Sequence, residues 1–192
     1  MRRLILQTSV SIDGYVAALD GSHPWGEGSE DEAFKRWILD SVWAAGAHLM
    51  GRVTYEEMAA FWPTSTSEYA RPMNEIPKVV FSRTLERADW PETRIVRGDL
   101  SEEIGSLKRE AGNDLIAYGG ATLDQGLSRL GLVDEYRLMV QPAALGAGLP
   151  LFKDLSAPLH LELVEATTYA TGVVIHVYRP RSSRTVQPVD PD

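Results

Sequence analysis

Cysteine is absent from the 192 residues, which excludes a disulfide scaffold, thiol catalysis and thiolate-bound zinc. Histidine is scarce. His23, His48, His160 and His176 stand apart with no HxxxH or HxH pair, so no metal site is expected. Long basic runs are missing and the formal net charge is −8. A duplex nucleic-acid binder needs a cationic stripe to meet phosphate, so nucleic acid is not an expected partner. An acidic chain can still hold an anion where a few cations and backbone N–H groups converge. No apolar run approaches the length of a membrane span and no signal peptide precedes Leu4. The expectation is a cytoplasmic protein without a membrane partner.

What is present suits one globular domain with a substantial core, since 44% of the residues are hydrophobic and 24% charged. Arg2 to Ser9 reads as a strand, followed by the long loop "IDGYVAALDGSHPWGEG" with glycines at Gly14, Gly21, Gly26 and Gly28. A loop of that length is usually functional or disordered. Ser29 stands three residues before Glu32 as a capping box, and Phe34, Trp37, Ile38, Ser41, Val42 and Ala45 line one helical face. A strand over Ala47–Met50 and a helix over Val53–Phe61 follow, then the polar connection "WPTSTSEYARPMNEIP". "KVVFS" and "TRIVRG" read as strands, and Asp99 or Ser101 caps a helix with Ile104 and Leu107 inward.

"DLIAY" is a further strand, "ATLDQGLSRLGL" a helix, Val133–Val140 a strand and "QPAALGAGLPLFKDL" a loop. Two strands, His160–Thr168 and Val173–Arg179, close the chain as a hairpin around Ala170–Gly172. Alternating strands and helices followed by a strand-rich third predict an α/β sheet, mostly parallel with an antiparallel edge. Residues 1–180 form the single expected domain, and the tail 181–192 lacks apolar periodicity and is expected to be disordered.

Three strand ends carry the chemistry. In "HLMGRVTYEEM" an apolar run stops at Gly51 and a helical pattern begins at Arg52. In "LIAYGGATLDQGL" the same happens at Gly119-Gly120, with Ala121-Thr122 opening the helix, and "VVFSRTL" offers Ser82, Arg83 and Thr84. Each can be an ordinary turn or loop. Each can also face a phosphate, because a helix N-terminus presents free N–H groups and a favourable dipole. In an open α/β sheet ligands lie beyond the carboxyl ends of the strands, so parallel strands would bring all three together. GxGxxG and GxxxxGK[ST] are both missing, and "GAG" at Gly146–Gly148 reads as a loop or bulge.

The stretches "LMGRVTYEEM", "KVVFSRTL" and "IAYGGATLDQGL…LGLVDEYRLMVQPAALGAGLPLF" resemble the dihydrofolate-reductase-like superfamily. The nearest branch is the riboflavin-biosynthesis reductase, the RibD C-terminal domain, over about Arg2 to Arg179. The resemblance implies a three-layer α/β/α fold with an eight-stranded central sheet, and NADPH as cofactor. Carried over, Gly51, Arg52 and Thr54 would meet the pyrophosphate, and Ser82 and Arg83 the adenosine 2′-phosphate. Gly119, Gly120, Ala121 and Thr122 would pass close to the pyrophosphate and the nicotinamide half. Val10, Asp13, Gly14 and Ala17 would flank the nicotinamide and substrate, although Asp13-Gly14 is also a good turn pair.

Two substrates are implied. The riboflavin branch reduces the ribose of a pyrimidine ribosylamine phosphate, 5-amino-6-(5-phosphoribosylamino)uracil, and "SIDGYVA" is similar to its Ser-Leu-Asp-Gly stretch. This chain departs from that branch at Tyr118, where a glutamate is usual. It also lacks the cysteines of a zinc-deaminase half, so a stand-alone reductase is expected. "HPWGEGSEDEAFKRW" is similar to the dihydrofolate branch, where a carboxylate four residues before the Phe, here Glu30, binds the pterin edge and helps protonate it. Glu30 also falls where any helix favours an acid. The two carboxylate candidates for proton handling are Glu30 and Asp13. A third reading is an NADPH-binding sensor without turnover. The branch is commonly dimeric, and a homodimer through Val133–Val140 and the hairpin Leu161–Val177 is expected, unless a helix covers that face.

Overall fold

The computed structural model describes residues 1–25 and 31–181. In chain order the elements are β1 (Leu4–Ser11), β2 (Tyr15–Ala17), α1 (Glu32–Trp43), β3 (Ala47–Gly51), α2 (Arg52–Phe61), a 3-10 turn (Trp62–Thr64) and α3 (Ala70–Glu75). Then come β4 (Lys78–Phe81), β5 (Thr93–Val96), α4 (Leu100–Arg109), β6 (Leu115–Ala117), α5 (Ala121–Arg129), β7 (Glu135–Gln141), β8 (Leu149–Pro150), β9 (Leu161–Thr168) and β10 (Val174–Pro180).

Eight strands form one sheet in the order β5-β4-β3-β6-β1-β7-β10-β9. Every neighbouring pair from β5 to β7 is parallel, and β10 and β9 close the sheet antiparallel. The central parallel strands are covered on both faces, which is why they read as continuous apolar runs rather than alternating ones. On one face Leu4, Leu6, Leu49 and Ala117 meet Ile104 and Leu107 of α4 and Leu123 and Leu127 of α5. On the other, Met50 packs with Val42 of α1, Tyr55 of α2 and Met73 of α3, while Ile5 and Ile116 meet Ala45 and Ile76. The fold is the three-layer, dihydrofolate-reductase-like α/β/α arrangement with an eight-stranded, mostly parallel sheet.

Local chemistry sets the element ends. Asp31 caps α1, its Oδ1 accepting from the N–H groups of Ala33 (2.9 Å) and Phe34 (3.1 Å). That cap lies two residues beyond Ser29, which is outside the described residues. Asp99 caps α4 in the same way, one of the two expected positions. The polar connection after α2 holds the 3-10 turn and α3. β2 and β8 pair antiparallel as a second, two-stranded sheet; elements of three and two residues are too short to show a period. On the closing hairpin, α1 covers one face through Phe34, which packs on Val173, Ile175 and Val177. Leu163 and Val164 of the edge strand β9 remain exposed. None of the described helices is long and apolar enough to cross a membrane. Apart from Arg181, the expected tail 181–192 lies outside the described residues.

Candidate functional site

The parallel registers set Gly51 beside Phe81, Phe81 beside Val96, and Leu49 beside Ala117. The carboxyl ends of β3, β4, β5 and β6 therefore open side by side, and a cleft of about 1170 Å³ lies above them. It is lined by Gly51, Arg52 and Thr54 at the first junction, Ser82 and Arg83 after β4, and Gly119, Gly120, Ala121 and Thr122 at the second junction. Ala17 of β2 lines it as well. The three motifs scattered over the sequence thus share one cavity.

The four longer helices differ at their N-termini. α1 and α4, which begin away from the cleft's two glycine junctions, are capped by Asp31 and Asp99. α2 and α5 begin in the cleft with glycine at the cap position, Gly51 and Gly120, and neither has a side-chain cap bond. An uncapped first turn leaves N–H donors unsatisfied. Those of Ala121 and Thr122 have no partner among the described residues. Two such turns open onto one cavity, where free N–H groups and the helix dipole favour an anion.

Glycine is required where the cavity is tightest. Gly119 lies at φ +100, and a Cβ there would also stand 3.3 Å from Asp124 Oδ2. A Cβ on Gly120 would stand 3.2 Å from the Thr54 hydroxyl, inside the mouth between the two helices. The peptide between these glycines is cis. The carbonyl of Gly119 accepts from the Gly51 N–H at 3.0 Å, so the two junctions are joined directly.

Cations gather at the far end. Arg83 makes no hydrogen bond or ion pair among the described residues, whereas Arg52 is paired with Glu56 at 2.9 Å. The Ser82 hydroxyl oxygen accepts from the N–H groups of Thr84 (3.2 Å) and Leu85 (2.9 Å). Its own O–H remains able to donate to a ligand beside Arg83. Arg97 and Arg129 also line the cleft, and neither was singled out from the sequence. Arg97 follows β5 immediately, so pairing "TRIVRG" beside "KVVFS" would have placed it there.

At the other end the floor is formed by Gln7 and Ser9 of β1, Tyr118 and Met139, with His23, Trp25 and Met58 around it. Burial raises the Tyr118 hydroxyl above its ordinary value. Asp124, in the first turn of α5, is 1% exposed, and its Oδ1 has no partner among the described residues. Burial pushes this carboxyl well above the usual range.

Three of the described residues expected at the site, Val10, Asp13 and Gly14, do not line this cavity. Val10 is a core residue, 5% exposed, packed among Leu6, Val16 and Leu138. The expectation that it flanks a ligand is corrected by the pleat of β1, which turns it inward with Leu4 and Leu6. Asp13 does not line the cleft either. Its carboxylate accepts from the Ser11 hydroxyl (2.6 Å) and from the N–H groups of Leu145 (3.1 Å) and Gly146 (2.7 Å). The Ser11 hydroxyl, then the Gly146 N–H, hold this carboxyl below its ordinary range, which makes it a loop tether and a poor proton donor. Glu30 lies outside the described residues.

The comparisons agree with this architecture. Residues 2–175 match the RibD C-terminal domain. Uncharacterized protein YyaP of Bacillus subtilis (strain 168) is 32% identical over 184 residues, covering 92% of this chain and 94% of that protein. The chain is similar in structure to a diaminohydroxyphosphoribosylaminopyrimidine deaminase/5-amino-6-(5-phosphoribosylamino)uracil reductase of Thermotoga maritima. The TM-score is 0.67 at 16% identity, over 94% of this chain and 57% of that one. It is also similar to dihydrofolate reductase from Enterococcus faecalis complexed with NADP(H), with a TM-score of 0.66 at 11% identity over 94% and 97% of the two chains. With its glycine junctions, its sheet order and a match over nearly the whole sequence, the chain belongs to the RibD C-terminal domain family.

Proposed function

We propose that the protein is an NADPH-dependent reductase of a pyrimidine- or pterin-type substrate, most like 5-amino-6-(5-phosphoribosylamino)uracil reductase. The observation that carries this reading is the convergence of two glycine-capped helix N-termini on one cleft that also presents the unpaired Arg83. The cavity fits a dinucleotide, because a Cβ on Gly120 would fill the space such a ligand needs between Thr54 and α5. When bound, NADPH supplies a hydride from its nicotinamide ring. In this reading the first turns of α2 and α5 hold the pyrophosphate, and Ser82 and Arg83 hold the 2′-phosphate by charge-assisted bonds. The Gln7–Tyr118–Met139 floor seats the heterocycle. Catalysis then rests mainly on holding donor and acceptor carbons in contact.

Among the described residues the cleft-lining carboxylates are Glu57, Asp99 and Asp124. Asp99 is engaged as a helix cap and Asp124 is buried. We assign proton handling to Glu30 on the likeness of "HPWGEGSEDEAFKRW" to the dihydrofolate branch. The dihydrofolate alternative is supported by Trp25 of the "HPWGEG" loop, which lines the cleft. The test is NADPH oxidation by the purified protein with a panel of ribosylaminopyrimidines and dihydropterins. Turnover of the uracil ribosylamine supports the first reading, and turnover of dihydrofolate alone supports the second. Cofactor binding without turnover of any panel member makes the protein a sensor.

A further inference from the structure

Gln7 is 2% exposed, yet it lines the substrate end of the cleft. Its Oε1 accepts from the Ser41 hydroxyl at 2.5 Å, and the Ser41 oxygen in turn accepts from Arg137 Nη1 at 3.2 Å. Arg137 is anchored on Glu135 Oε1 at 2.9 Å, and Glu135 is also gripped by Arg3 and Arg179. A guanidinium can only donate. Arg137 therefore takes one acceptor position of the Ser41 hydroxyl, whose O–H is directed at Gln7. The Gln7 atom that meets this O–H is its carbonyl oxygen, which leaves the amide NH2 as the end of the side chain able to meet a ligand. Its two N–H groups have no partner among the described residues.

This amide donor belongs to the floor beside Tyr118 and Met139, where an acceptor on a bound heterocycle would complete it. We propose that Gln7 is a specificity-determining residue that donates to a ring carbonyl oxygen of the substrate, with Ser41 and Arg137 as positioning residues that hold its amide donor-outward. This rests on the reductase reading of the cleft. Its chemical content is distinct: the floor presents a donor pair, which selects a heterocycle with an oxo group at that edge. An amino group at the same place would set donor against donor.

The experiment is calorimetric titration of 5-amino-6-(5-phosphoribosylamino)uracil into the unmutated protein and into Gln7→Glu, Gln7→Met and Ser41→Ala, with NADPH titrated separately. Losing a buried donor's partner bond is expected to weaken the uracil by about tenfold or more in both Gln7 variants. NADPH affinity should stay within about twofold of the unmutated value, and melting temperatures identify any variant that has not folded. Ser41→Ala frees the amide to turn and is expected to weaken the uracil about threefold or more. In turnover the Gln7 and Ser41 variants should raise KM with kcat largely retained, the signature of lost ground-state binding. Uracil affinity unchanged in folded Gln7→Met, or no uracil binding by the unmutated protein, overturns the proposal. No NADPH oxidation with any panel member overturns the reductase reading instead, while the titration still decides the role of Gln7.

Discussion

The backbone N–H of Gly51 donates to the carbonyl of Gly119 at 3.0 Å, joining the N-terminus of α2 to the loop that launches α5. Residues 68 positions apart thus form one wall, and neither glycine junction can shift without the other. The expected consequence is that damage to one is read at both.

Gly120→Val places branched carbons where a single Cβ would already stand 3.2 Å from the Thr54 hydroxyl. NADPH affinity should fall by more than about tenfold, the effect of losing one or two strong anion contacts. Circular dichroism should stay native-like, because Gly120 is exposed and its φ of −75 is open to any residue. Fluorescence titration checks this, and normal affinity in the folded variant would return the junction to a plain turn.

Arg83→Ala should remove most of a preference for NADPH over NADH. A charge-assisted contact is worth roughly 1.5–3 kcal/mol, about ten- to a hundredfold in affinity. The measurement is the ratio of the two dissociation constants. An unmutated protein that binds both equally would remove the 2′-phosphate assignment.

Glu30 and Asp13 should separate cleanly. Glu30→Gln is expected to cut turnover by about 10²-fold, the scale of general acid–base catalysis, with NADPH affinity unchanged. Asp13→Ala should leave kcat within a few-fold but release the loop at Leu145 and Gly146, seen as faster limited proteolysis there. Because the Asp13 carboxyl is held below its ordinary range, its stabilising bonds are present above the unfolded pKa and lost as pH falls through the folded one. The loop should loosen in acid in the unmutated protein too.

His48 should set a limit on acid stability. It is fully buried, and burial pulls its ring from 6.5 down to about 4. The unfolded chain binds the proton first, so stability falls as pH drops from 6.5 and levels off below about 4. The full loss is about 3 kcal/mol. His48→Gln, which retains a donor toward the Pro72 carbonyl, should flatten that part of the curve in urea titrations at pH 4 to 7. An unchanged slope would show that other groups dominate.

A homodimer through the antiparallel edge is expected from the exposed Leu163 and Val164 on β9, an edge strand with unpaired backbone groups. Light scattering should give about twice the 21.2 kDa chain mass, and Leu163→Lys should halve it. A monomer in the unmutated protein at micromolar concentration would refute this.

Much of the fold was legible because its central strands are apolar runs that stop at glycine or polar residues. β3, β4 and β6 end within a residue or two of where their apolar runs stop, and α2 begins at Arg52 rather than Val53. What periodicity missed is physically small. β2 and β8 show no repeat, and their pairing depends on bringing Tyr15 beside Pro150 across 135 positions. The meeting of the three strand-end motifs in one cleft was legible because helix N-termini and glycines are local features. The substrate end was not, since Gln7, Ser41 and Arg137 meet only through the folded sheet and α1. Val10 and Asp13 were not placed for the same reason: the pleat of β1 buries Val10, and the turn after β1 ties Asp13 to the distant Leu145 and Gly146.

The unequal capping of the helices also bears on how ligand and fold are coupled. α1 and α4 carry their own aspartate caps, whereas α2 and α5 leave theirs to whatever occupies the cleft. A bound anion would complete two helices at once. Such a ligand should slow amide hydrogen exchange selectively at residues 52–54 and 121–122, and raise the melting temperature with the logarithm of its concentration. The empty protein would be under-stabilised at these two turns by construction, so part of its folding free energy is stored in its partner rather than in its own sequence.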